Sequence, residues 1–116
     1  DEDVLTITAM MLEQCGYEVV SYLSGDDAIS DLRGRPQHYG AAVVDLTMPV
    51  KDGVTVVREL RQLRPDLPVL FVSGYSKEQA ADLLTPDERT AFLRKPFRID
   101  ALDRALAQLL AAAGGR

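Results

Sequence analysis

The sequence predicts an α/β domain built on a doubly wound parallel sheet. Three observations carry that prediction. Helical and strand-like patterns alternate along all 116 residues, and the glycines and prolines fall between them. The run Leu67-Pro68-Val69-Leu70-Phe71-Val72 is almost continuously apolar, as a strand covered on both faces must be. Short links between alternating elements then imply parallel strands joined by right-handed crossovers.

In chain order, Val4, Ile7, Met11, Leu12 and Cys15 recur at spacings of three and four, one face of an amphipathic helix. The acids Asp1, Glu2 and Asp3 suit its first turn, where they complement the helix dipole, and Gly16 suits a left-handed cap at its end. Tyr17 to Tyr22 reads as a short strand. Ser24-Gly25-Asp26-Asp27 opens a second helix, with Ala28, Ile29 and Leu32 inward and Gly34-Arg35-Pro36 closing it. Ala41 to Asp45 is the next strand, and a loop from Leu46 to Gly53 follows, shaped by Pro49 and by Asp52-Gly53. A third helix turns Val54, Val57, Leu60 and Leu63 to the core. Its Arg58, Glu59, Arg61 and Arg64 read as a solvated face with internal ion pairs.

After Pro65-Asp66 comes the apolar strand, ending at Ser73-Gly74. Ser76 and Gln79 resemble a capping box for a helix through Leu84. Ala91 to Arg94 is a short last strand, stopped by Lys95-Pro96-Phe97. Ile99, Leu102, Leu106, Leu109 and Leu110 line a final helix with Asp100 at its cap, and the chain past Leu109 frays into a linker. The order is α-β-α-β-α-β-α-β-α, with residues 1–116 forming one domain.

Composition narrows the functional classes. A hydrophobic content of 47% supports one core, while a net charge of −5 argues against sequence-independent nucleic-acid binding. No apolar run approaches the ~20 residues of a membrane span, so no membrane insertion is expected. Cys15 is the only cysteine and cannot form an internal disulfide; with it we expect a reducing, cytoplasmic setting. Cys15 reads as core, and His38 beside Tyr39 as a surface loop residue.

Three side chains are delivered to one edge of the predicted sheet. Asp45 ends one strand, Ser73 the next, and Lys95 follows the last. Open α/β sheets place their chemistry at that carboxyl edge. A carboxylate can act as a nucleophile, a hydroxyl as a hydrogen-bond donor and an ammonium as a point charge for phosphate oxygens. Bringing a phosphoryl group to a carboxylate also calls for a divalent cation, and Mg²⁺ takes one or two carboxylates with substrate oxygens and water.

The segments Val43-Val44-Asp45-Leu46-Thr47-Met48-Pro49, Asp52-Gly53, Leu67 to Gly74 and Lys95-Pro96-Phe97 resemble, in order and spacing, a response-regulator receiver domain of two-component signalling. Ser73-Gly74-Tyr75-Ser76 with Lys95-Pro96-Phe97-Arg98 is similar to receivers attached to hybrid sensor histidine kinases. The resemblance implies a flavodoxin-like doubly wound sheet of strand order 2-1-3-4-5. It implies that Asp45 accepts a phosphoryl group, Ser73 is the switch hydroxyl, Lys95 contacts the phosphate and Phe92 is the switch aromatic. Mg²⁺ would be held by Asp45 and the backbone carbonyl of Thr47, with Asp1 as a further ligand. The Lys95-Pro96 bond is expected to be cis. The surface reporting phosphorylation would be the helix from Ser76, the last strand and the final helix.

The implied partners are a histidine kinase or a histidine phosphotransfer protein, and a homodimer is an allowed assembly. The implied role is signalling, with no enzymatic reaction beyond the domain's own phosphorylation and dephosphorylation. The chain departs from the family at its start. The family's first strand, which ends in an acidic pair, is absent from residues 1–116 and is expected upstream of residue 1, unless a segment of another chain fills its place. Two other readings stand beside the phosphoacceptor: a non-phosphorylated pseudo-receiver acting as an interaction module, and an aspartyl-phosphate phosphatase. The phosphatase would want an acid two residues after Asp45, where Thr47 stands.

Overall fold

The computed structural model describes residues 2–22, 25–45, 50–74 and 89–114. They form α1 (Glu2–Gln14), α2 (Gly25–Gly34), β1 (Ala42–Asp45), α3 (Val50–Leu63), β2 (Val69–Ser73), β3 (Thr90–Arg94) and α4 (Ile99–Gly114). The strands make a three-stranded sheet of order β1-β2-β3, parallel throughout. The helix expected from Ser76, Asp1, Ser24 and residues 46–49 lie outside the described residues. The loop expected from Leu46 to Gly53 is corrected at its far end, where α3 already begins at Val50 and Asp52 falls in its first turn, a favourable place for an acid.

Central β2 shows why the sheet needs both layers. All five of its residues are buried, and period-two alternation sends them to opposite faces. Val69 and Phe71 join Ile29 and Leu32 of α2 and Val57 and Leu60 of α3. Leu70 and Val72 join Leu12 of α1 and Leu102, Leu106 and Leu109 of α4. Two cores, one on each face, make the fold doubly wound, as the apolar run of β2 predicts.

The helix ends follow their sequence signals. Gly16 sits at φ +97° after α1, and the Tyr17 N–H donates to the Leu12 carbonyl at 3.1 Å, which closes the helix. On α4 the Asp100 carboxylate accepts from the Ala101 N–H at 3.1 Å. That helix runs to Gly114, so the expected fraying past Leu109 is corrected. Its leucines at 102, 106 and 109 stay on the sheet, and the alanines beyond them are good helix formers.

Three further expectations are corrected. Tyr17 to Tyr22 is not a strand, so three strands are present among the described residues where four were expected. The segment keeps a strand's alternation, with Tyr17 and Val19 half-buried and Glu18 and Val20 exposed, but no strand lies alongside to make a ladder. Ile7 is 54% exposed instead of core, because α1 turns a narrow stripe containing Met11 and Leu12 toward α4 and the sheet. Arg61 and Arg64 are not part of a solvated face. The Arg61 guanidinium donates to the carbonyls of Leu67 (3.1 Å) and Arg89 (2.8 Å), and Arg64 donates to the Tyr39 carbonyl and pairs with Asp66 at 3.2 Å.

Candidate functional site

Register brings the chosen side chains together. Asp45 lies opposite Val72, and Ser73 lies opposite Arg94, so Asp45, Ser73 and Lys95 all fall at the C-terminal ends of adjacent strands. The Lys95 N–H donates to the Ser73 carbonyl at 2.6 Å, extending the β2–β3 ladder by one step and anchoring the lysine backbone. The Lys95–Pro96 peptide is cis, as expected. From there the Lys95 ammonium donates to both Asp45 oxygens, Oδ1 and Oδ2, at 2.7 Å each.

That ion pair is partly shielded, with the side chains 23% exposed at Asp45 and 18% at Lys95. Charge-assisted bonds of this length are strong, yet solvent still reaches both groups. The arrangement is a partly accessible carboxylate paired with a cation on a flexible stem. Ser73 is fully buried, deeper than either charged partner. Phe92 is half-buried and packs into the core beneath α2 and α3. Thr47 and Asp1, the two further candidate metal ligands, lie outside the described residues. Among the described residues, no group of three or more His, Cys, Asp and Glu side chains comes together to hold a metal ion.

The sequence reading missed a second polar cluster, centred on α2. The Asp31 carboxylate accepts from the hydroxyls of Tyr22 and Tyr39 and from Arg35, whose Nη2 lies 2.7 Å away. These donors, the tyrosine hydroxyls first, hold the Asp31 pKa down at about 2, and the Asp31 carboxylate in turn, with desolvation, pushes that of Tyr22 up. The only sequence signal was the Asp31–Arg35 spacing of four on a helix. His38 is exposed and stands edge-on to Tyr39, as a loop residue should. Cys15 is half-buried where core was expected, and desolvation, then the neighbouring Asp103 charge, pushes its thiol pKa up. No helix among the described residues is long and apolar enough to cross a membrane.

Comparison with known proteins gives a consistent pattern. The family model described as "Response regulator receiver domain" matches residues 1–107. Sensor kinase CckA of Brucella abortus is 34% identical over 111 residues, covering 95% of this chain and 12% of that protein. The response regulator receiver protein CpdR of the same organism is 32% identical over 97% of this chain and 92% of its own length. Among solved structures, a response regulator receiver protein from Sinorhizobium medicae matches with TM-score 0.80 and 30% identity over 95% of this chain and 87% of its own. The receiver domain of sensor histidine kinase PA1611 from Pseudomonas aeruginosa has magnesium in its active site cleft. It shares the fold with TM-score 0.77 and 24% identity, over 96% of this chain and 91% of its own.

Proposed function

The chain belongs to the response regulator receiver domain family of two-component systems, and on that premise we propose that Asp45 is its phosphoacceptor. The observation that carries the reading is the Lys95 ammonium bonded to both oxygens of Asp45 at the sheet's C-terminal edge. The donor in this reading is a phosphohistidine on a histidine kinase or a histidine phosphotransfer protein. One Asp45 oxygen leaves Lys95 and attacks phosphorus. The new O–P bond forms as the P–N bond breaks, and the imidazole departs with the electron pair. Lys95 then follows the charge to the phosphoryl oxygens, which it can do because its four-carbon stem ends in a compact, rotatable ammonium.

Asp45 suits Mg²⁺, a hard cation that accepts one carboxylate and completes its shell with substrate oxygens and water. Asp45, the Thr47 carbonyl and Asp1 are the donors we assign to it. Its contribution is to offset the negative charge that a phosphoryl group and a carboxylate bring to one place. Ser73 and Phe92 are assigned as the hydroxyl and aromatic ring that change position on phosphorylation, biasing a two-state equilibrium. The domain acts in the cytoplasm in this reading, and a homodimer remains an allowed assembly.

Titration with beryllofluoride or acetyl phosphate in the presence of Mg²⁺ tests the assignment. We expect one phosphoryl group per wild-type chain by intact mass and none on Asp45→Asn. A wild type silent to both reagents would defeat it and leave the pseudo-receiver. Multiple turnover of a phosphate ester would instead indicate the phosphatase.

A further inference from the structure

β1 has little in its own sequence to fix its place along β2. Ala41, Ala42, Val43 and Val44 are all apolar, so no polar–apolar alternation tells one pairing from the next. The strand is also only four residues long and half-buried. Yet its pairing decides the site. A shift of one residue along a strand is ~3.3 Å, which takes a 2.7 Å bond out of reach. It would bring Val44 or Leu46 to the place of Asp45 and part the Lys95 ammonium from its carboxylate.

The alignment is held upstream of the ladder. Ala42 pairs with Val69 at the first rung. Tyr39 lies three residues before Ala42, and Asp66 lies three residues before Val69. Arg64, directly after α3, joins that matched pair. Its Nη1 donates to the Tyr39 carbonyl and its Nε to the Asp66 carboxylate at 3.2 Å. Two nitrogens of one planar guanidinium fix the separation of their partners, and the Arg64 side chain is only 13% exposed. Tyr39 is fastened at its far end too. Its hydroxyl donates to Asp31 of α2 and accepts from Arg35 at 2.8 Å, and the Tyr22 hydroxyl shares the same carboxylate. The Ala42 N–H then donates to the Pro68 carbonyl at 2.9 Å, which starts the ladder. We infer that Arg64 is a positioning residue for phosphoryl acceptance. With Tyr39 as its anchor ahead of β1 and Asp66 ahead of β2, it sets the pairing that brings Asp45 to Lys95. The inference rests on the reading of Asp45 as phosphoacceptor, and it gives the polar cluster at Asp31 a part in the same task.

Two measurements test it. In the first, the rate of phosphorylation by acetyl phosphate is compared in wild type, Arg64→Gln, Lys95→Met and the double variant. Arg64→Gln should slow wild type about tenfold but slow Lys95→Met by less than about twofold, because Arg64 acts through the pair that Lys95→Met has already lost. In the second, lysines are acetylated with an N-hydroxysuccinimide ester and mapped by mass. The chain has three, Lys51, Lys77 and Lys95, so the first two act as internal standards. Labelling of Lys95 relative to them should rise at least about threefold in Arg64→Gln, as the pair with Asp45 opens. Tyr39→Phe deletes only the hydroxyl and keeps the carbonyl. It should move Lys95 labelling the same way by a smaller factor, and it serves where Arg64→Gln does not fold. Equal slowing by Arg64→Gln with and without Lys95 would overturn the inference, since the arginine would then act on folding alone. So would Lys95 labelling that neither variant changes. A wild type that takes no phosphoryl group would defeat the reading of Asp45, and the Lys95 labelling would still decide what Arg64 does.

Discussion

Asp45 shares a single ammonium between its two oxygens, so the lysine offsets its charge and restrains its orientation. Replacing Lys95 by Met removes the cation that would follow the phosphoryl charge. The rate of phosphorylation by acetyl phosphate should fall roughly 100-fold, the scale of losing one preorganised donor to developing charge, while the site stays intact. Time-resolved intact mass measures it. Asp31 makes a prediction of a different kind. Its folded pKa of about 2 lies below the ordinary aspartate value of ~3.9. A depressed carboxylate adds stability above its unfolded pKa, and that contribution disappears as the pH falls through the folded one. Wild type should therefore lose stability between about pH 4 and pH 2 more steeply than Asp31→Asn, with the difference between the two largest at neutral pH. Urea midpoints across that range check it.

At the scale of elements, α2 and α3 meet at a glycine. A Cβ on Gly25 would lie 2.5 Å from Cγ2 of Val56, closer than carbon atoms tolerate. Gly25→Ala should cost about 1–3 kcal/mol by overpacking, and Val56→Ala should recover part of that in the double variant. Denaturant unfolding of the four proteins of the cycle measures the coupling. Such a contact has no sequence signature beyond a small residue at a helix start. The elements themselves were mostly legible, because their apolar periods match the faces they bury: Ile29 with Leu32, Val57 with Leu60, Leu102 with Leu106 and Leu109. Tyr17 to Tyr22 was not, since a ladder belongs to a pair of strands and the composition of one member cannot supply the other. Arg61 was misread for a related reason. Its acceptors are main-chain carbonyls of Leu67 and Arg89, which any residue type would provide.

Across the whole molecule, the two cores lie back to back on a sheet only three strands wide among the described residues. Leu102 belongs to the core under α1 and α4 and is fully buried. Leu102→Ala should cost about 2–5 kcal/mol, since the layers around it can close the gap only in part. The loss should also appear for amides on the opposite face, at Ile29 and Val57, because β2 belongs to both cores. Hydrogen exchange at those amides reads that coupling. The candidate site was legible at this scale because three strand ends carry Asp45, Ser73 and Lys95, and parallel strands point their ends the same way. The geometry linking them was not, because Lys95 reaches Asp45 across two strand boundaries that only register determines.

Arg61 gives that register a guard. Its guanidinium grips the chain just before β2 and just before β3, while Ser73 and Lys95 stand at the far ends of the same strands, ~17 Å away. It works as a pawl does in a ratchet. For β3 to slip one residue past β2, the Arg89 carbonyl would have to leave both Arg61 and the Val69 N–H, to which it is bonded at 2.8 Å each. Such a slip would carry Lys95 off Asp45 and turn every side chain of β3 to the opposite face. The ammonium at one edge of the sheet is thus kept in step by an arginine at the other.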